Sequence, residues 1–154
     1  MKNQISVFWR RLFGFCALLA VWGCVFASAA TTPTSLQGAT VVDAAKAKSL
    51  MEAGAVMIDA RVANEYVELH IRGAKNIPYK EKSDKTVAYD STLDSFALSQ
   101  LPADKNMPTI FACNGPECWK SYKAARAAVK AGYKHIYWLR GGLPEWQANG
   151  YPVE

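Results

Sequence analysis

Two rhythms alternate along this chain. The runs AVMIDA (55–60), TIFA (109–112) and the centre of HIYWLR (135–140) are apolar without a break. They predict strands covered on both faces, because a half-exposed strand would alternate apolar with polar residues. Between them, apolar residues recur at helical spacing in AAKAKSLMEAG, with Asp43 as N-cap and Gly54 as stop, and in SYKAARAAVKAG, with Gly132 as stop and the alanines facing inward. ANEYVELH, SFALSQL and LPEWQANG predict shorter helices. Thr40-Val41-Val42 predicts an opening strand, GAKNIPY an extended segment closed by Pro78, LPADKNMP a turn, and Gly141-Gly142 a tight turn. Residues 80–95, KEKSDKTVAYDSTLDS, are charged and aperiodic, which predicts a long surface excursion of the kind that edges a binding site. Strands alternating with helices through short connections imply one α/β domain, a central parallel sheet flanked by helices. Such sheets bind ligands at the carboxyl ends of their strands.

Cys113 falls at such an end, directly after TIFA and ahead of a Gly-Pro loop and a helix. A thiol there sits near unpaired backbone N–H groups and the positive end of a helix dipole, which favours thiolate and hence nucleophilic sulfur chemistry. Cys118 lies in the same loop, so a local disulfide clamp is the competing reading. The spacing is not the Cys-x-x-Cys of a general dithiol oxidoreductase.

The ends of the chain narrow the picture. Lys2, Arg10 and Arg11 precede the apolar run LFGFCALLAVWGCVFASAA, which ends in small residues. This predicts a signal peptide over 1–30, cleaved after Ala29 or Ala30, with the product periplasmic or secreted. The run is also long enough for an uncleaved membrane anchor, the one route by which this chain would meet a membrane. Gly23-Cys24 offers a lipid-attachment site, although Trp22 is bulky for one. Residues 31–38, TTPTSLQG, read as a linker, and the domain runs over 39–154. Without residues 1–30 the net charge falls from +5 to +2. No concentrated basic stripe remains, and so nothing points to nucleic acid.

Two further blocks specify a family. VMIDARVANEYVELHIRGAKNIP contains Asp59, Arg61, Glu65, Tyr66, His70, Ile71, Gly73 and Ala74, and GYKHIYWLRGGLPEWQANGYPV contains Gly141, Gly142 and Trp146. In this order, around a cysteine loop, they resemble the rhodanese family of single-domain sulfurtransferases over roughly residues 39–153. Leu69 stands where that family usually has Gly, and Ser121 lies eight residues after Cys113, two more than in many members. The resemblance implies a rhodanese-like α/β fold with no cofactor. It also implies a Cys113 persulfide that takes sulfur from a small anionic donor such as thiosulfate and passes it to cyanide or a thiol. Cys118 is the second choice for the sulfur carrier. Cys118-Trp119 is similar to a Cys-Trp pair in a subgroup of exported relatives.

The substrate loop is then Asn114, Gly115, Pro116, Glu117, Cys118, Trp119, Lys120 and Ser121. Asn114, Gly115 and Pro116 are turn formers, and Gly115 lets the backbone approach an anion. Lys120 is either an attractor of the donor's charge or a solvated helix-start lysine. Asp59, Arg61, Glu65 and His70 are expected to form a buried hydrogen-bonded support for the loops rather than a catalytic cluster. His70 and His135 are the only histidines and show no metal-ligand spacing. Trp119, Trp138 and Trp146 read as packing residues, with Trp119 also able to wall the pocket. Two other functions compete with sulfur transfer: a redox-controlled protein closed by a Cys113–Cys118 disulfide, and a non-catalytic module that holds an anion or a partner protein. A phosphatase is disfavoured, because Trp119 occupies the position where an arginine would clamp phosphate.

Overall fold

The computed structural model describes residues 30–154, so all but the last residue of the expected signal segment lies outside it. Five strands, β1 (Ala39–Val42), β2 (Val56–Asp59), β3 (Lys75–Asn76), β4 (Thr109–Ala112) and β5 (Ile136–Leu139), form one sheet in the order β1-β5-β4-β2-β3. Every pairing is parallel. Helices α1 (Ala44–Glu52), α2 (Ala63–Glu68), α3 (Trp119–Lys130) and α4 (Gly142–Ala148) supply the crossovers, and Leu98–Gln100 makes one 3-10 turn. Among the described residues no helix is long and apolar enough to cross a membrane.

The unbroken apolar runs have the expected cause. In register, Ile58, Phe111 and Trp138 stand side by side across β2, β4 and β5 and pack with Tyr122, Ala124, Ala125 and Ala128 of α3. Their sequence neighbours Met57, Ile110 and Leu139 project to the other face, among Ala44, Ala47, Leu143 and Trp146 of α1 and α4. With apolar material on both faces, a polar residue in the middle of a strand would have no water and no partner. β4 is central and buried along its whole length, so whatever follows its carboxyl end is anchored to a strand with neighbours on both sides and cover on both faces.

Two expectations are corrected. SFALSQL is not a helix but the single 3-10 turn at Leu98–Gln100, which leaves Phe96 to pack beside Tyr79 and Phe111. Of residues 31–38, expected as a linker, Thr32 and Leu36 are buried, and Leu36 belongs to the core cluster on the α3 side. Residues 80–95 are the mostly exposed excursion expected, and they are knitted to the fold at a few points. Asp94 accepts hydrogen bonds from the Lys82 and Ser83 amides, Ser83 Oγ and Tyr79 Oη. Lys123 of α3, fully buried, places Nζ 2.7 Å from Glu81 Oε1, 3.6 Å from Asp94 Oδ2 and 2.8 Å from Ser83 Oγ.

Candidate active site

Cys113 leaves β4 with 1 % exposure, and Cys118 is the N-cap of α3. The two form a disulfide across a Cα separation of 6.1 Å. Cys118 makes no side-chain cap to the helix, because its sulfur is committed to Cys113, and the first turn of α3 carries no acidic residue. The helix begins at Trp119, two residues before Ser121. The extra length in the sequence is thereby taken up by an earlier helix start, and only Asn114, Gly115, Pro116 and Glu117 separate the cysteine from the N-cap. The amides of Asn114, Gly115 and Glu117 donate to no backbone acceptor among the described residues. Such a cluster of unpaired donors suits a small anion.

Three clamps fix this loop. From below, the Leu143 amide donates to the Cys113 carbonyl at 2.9 Å. Gly142, at φ +60, packs so tightly that an added Cβ would lie 2.8 Å from Gly115 N. On one side, Arg61 Nε lies 3.0 Å from both oxygens of Asp59, its Nη2 donates to Asp59 and to Leu69 O, and its Nη1 reaches Asn114 Oδ1 at 3.4 Å. Asn114 Nδ2 donates to Glu65 Oε1 at 2.5 Å. On the other side, Thr32 donates through both its amide and its hydroxyl to Pro116 O, and Trp119 Nε1 donates to Ala30 O. Arg140, at the end of β5, ties down that strap through Thr32 O and Pro33 O.

The expected support residues therefore divide. Asp59, Arg61 and Glu65 meet the loop through Asn114. His70 does not: its ring stacks on Tyr66, its Nδ1 contacts Tyr66 O at 2.8 Å and its Nε2 lies 3.4 Å from Glu154. Ser121 is likewise withdrawn from the loop, buried in α3 with its hydroxyl accepting from Trp138 Nε1 at 3.0 Å. Trp119 is buried edge-on to Tyr122 and also walls a cavity of about 250 Å³, with Glu81, Lys85, Asn114, Glu117, Cys118 and Lys120. Lys120 thus faces that cavity together with Lys85 of the excursion, and neither forms an ion pair among the described residues.

Sequence reasoning missed the strap at residues 30–33, Arg140 and Lys123. Arg140 was discoverable, since it too sits at a strand's carboxyl end. Lys123 was not, because a single lysine on a helix normally marks the solvent face. Its burial is possible because Asp94 and Glu81 arrive from the excursion. Burial pushes the Asp94 carboxyl upward, but hydrogen bonds from Ser83, the Lys82 amide and Tyr79 outweigh it and hold the group well below the usual carboxylate range.

An open parallel sheet with a cysteine loop gripped at the carboxyl end of its central strand defines a class of α/β domains. The Rhodanese-like domain model matches residues 43–149, and the chain belongs to that family. It is 32% identical over 108 residues to thiosulfate sulfurtransferase GlpE of Pseudomonas fluorescens, covering 70% of this chain and 84% of that one. It is also 34% identical over 104 residues to an HTH-type transcriptional regulator of Mycobacterium tuberculosis, covering 67% of this chain and 39% of the regulator. Among solved structures, the BH2092 protein of Bacillus halodurans superposes with a TM-score of 0.56 at 25% identity, over 75% of this chain and 77% of that one.

Proposed function

We propose that this protein is an exported sulfurtransferase whose carrier is Cys113. In the reduced protein, the Cys113 thiolate attacks the outer sulfur of thiosulfate or a similar donor. The donor's S–S bond breaks and sulfite leaves with the electron pair. The resulting persulfide gives its outer sulfur to cyanide or a thiol, and the Cys113 thiolate returns. The observation that carries this reading is a buried cysteine at the end of β4 beside loop amides with no backbone acceptor, donors able to stabilise a thiolate and a persulfide anion alike. The adjacent cavity, where Lys85 and Lys120 stand with Glu81 and Glu117 and where Glu81 is already paired with Lys123, is the entrance we assign to the anionic donor. The names of relatives such as GlpE support the same activity.

The test is direct. Reduced protein incubated with thiosulfate releases one sulfite per chain, and the Cys118→Ser variant then holds the mass of one sulfur atom until cyanide removes it. Absence of sulfite release from reduced protein, or an equal release by Cys113→Ser, refutes the proposal. Export is tested by N-terminal sequencing of protein recovered from outside the cytoplasm, which should begin at Ala30 or Thr31. A second reading, a redox-controlled protein, is favoured by the Cys113–Cys118 disulfide, which withholds the carrier sulfur until it is reduced. Thiosulfate activity that appears only after treatment with a reductant supports that control.

A further inference from the structure

We infer that Cys118 is the built-in acceptor of the sulfur carried by Cys113, so that the pair releases sulfide and closes its own disulfide. The inference rests on the sulfurtransferase reading and names the partner thiol of that same site. Three observations lead to it. The loop brings the two sulfurs within bonding reach while α3 keeps its regular start, so the bond forms without unwinding the helix. Cys113 is almost fully buried, whereas Cys118 is partly exposed and lines the open cavity. The side chain of Cys118 occupies the N-cap position but does no capping work, so a serine or aspartate there would serve the helix better.

The chemistry balances without an outside oxidant. After sulfite has left, Cys113 carries one extra sulfur. The Cys118 thiolate attacks Cys113 Sγ, the bond from Cys113 Sγ to the outer sulfur breaks, and the outer sulfur departs as hydrosulfide with the electron pair. Thiosulfate and two thiols have then become sulfite, hydrosulfide, one proton and one disulfide. The thiols are oxidised and the outer sulfur is reduced. A second turnover needs an external dithiol, which attacks the accessible Cys118 Sγ from the cavity, expels the Cys113 thiolate and is itself oxidised to a disulfide. An external acceptor must compete with a tethered thiol whose effective concentration is about millimolar or higher. Sulfide, not thiocyanate or an external persulfide, is therefore the first product.

The experiment is an anaerobic single turnover. Reduced wild-type protein is mixed with thiosulfate, and sulfite, sulfide and intact mass are followed together, with Cys118→Ser and Cys118→Ala in parallel. Wild type is expected to release one sulfite and one sulfide per chain and to end two hydrogen masses lighter, as a monomer. Both variants are expected to release sulfite, retain the extra sulfur and yield no sulfide until an external thiol is added. Wild type that keeps the extra sulfur, a disulfide formed without sulfide, or a disulfide between two chains overturns the inference and leaves the sulfurtransferase reading standing. Failure of wild type and both variants alike to release sulfite overturns the sulfurtransferase reading itself.

Discussion

Gly142→Ala places a methyl group where two backbone segments already touch. An added Cβ would lie 2.8 Å from the carbonyl carbon of Cys113 and from the Gly115 amide nitrogen, and nearer still to the Cys113 carbonyl oxygen. None of these atoms belongs to a flexible side chain, so the cysteine loop itself must shift. A non-glycine residue at φ +60 costs about 1–2 kcal/mol. Losing the hydrogen bond from Leu143 N to Cys113 O adds about 0.5–1.5 kcal/mol. With the residual overlap, the expected loss is about 2–4 kcal/mol. Gly54→Ala is the internal control: its φ is +97 but nothing lies within 4 Å, so it meets the backbone penalty alone, about 1–2 kcal/mol. Urea unfolding of the oxidised proteins measures both, and alkylation of reduced protein reports the exposure of Cys113, which should rise only in Gly142→Ala. Equal losses of stability in the two variants, with Cys113 still protected, would refute the argument that the Gly-Gly turn shapes the cysteine loop.

Other consequences follow from the buried charges. Arg61→Leu leaves Asp59 buried without its partner and should cost about 3–5 kcal/mol in chemical unfolding; a loss below about 1 kcal/mol contradicts the pairing. Lys123→Met strands Glu81 and Asp94 against α3, so limited proteolysis should cut within 80–95 well before the domain unfolds, and wild-type resistance there argues against the tether. Because folding depresses the Asp94 pKa, its contribution is complete at neutral pH and drains away as the pH falls below about 4. Asp94→Asn should flatten the acid limb of the stability profile; an unchanged limb means that the carboxylate is not what holds the excursion.

The sheet was legible because β2, β4 and β5 carry apolar residues at consecutive positions, a pattern that only two-sided burial explains. The cysteine loop was legible for the related reason that a Gly-Pro pair must end such a run. Helix α3 starts at Trp119 instead of Ser121, with Cys118 extended at the N-cap position and no side-chain cap, a start that local propensity does not predict. The strap stayed hidden because Thr32 and Ala30 owe their order to partners 84 and 89 residues away in sequence. Burial of Lys123 depends in the same way on acids that the chain delivers from a segment without periodicity. His70 shares a sequence block with Arg61, yet its contacts are with Tyr66 and Glu154, and sequence spacing carries no such distance. Local pattern specified the scaffold, while the clamps around the sulfur depend on contacts between distant segments.

The decisive measurement for Cys113 as the sulfur carrier is the sulfite burst of reduced protein. On rapid mixing with excess thiosulfate, one sulfite per chain should appear before any acceptor is added, with peptide mapping of Cys118→Ser placing the retained sulfur on Cys113. A burst absent from fully reduced, folded protein, or a sulfur retained on any other residue, would contradict it.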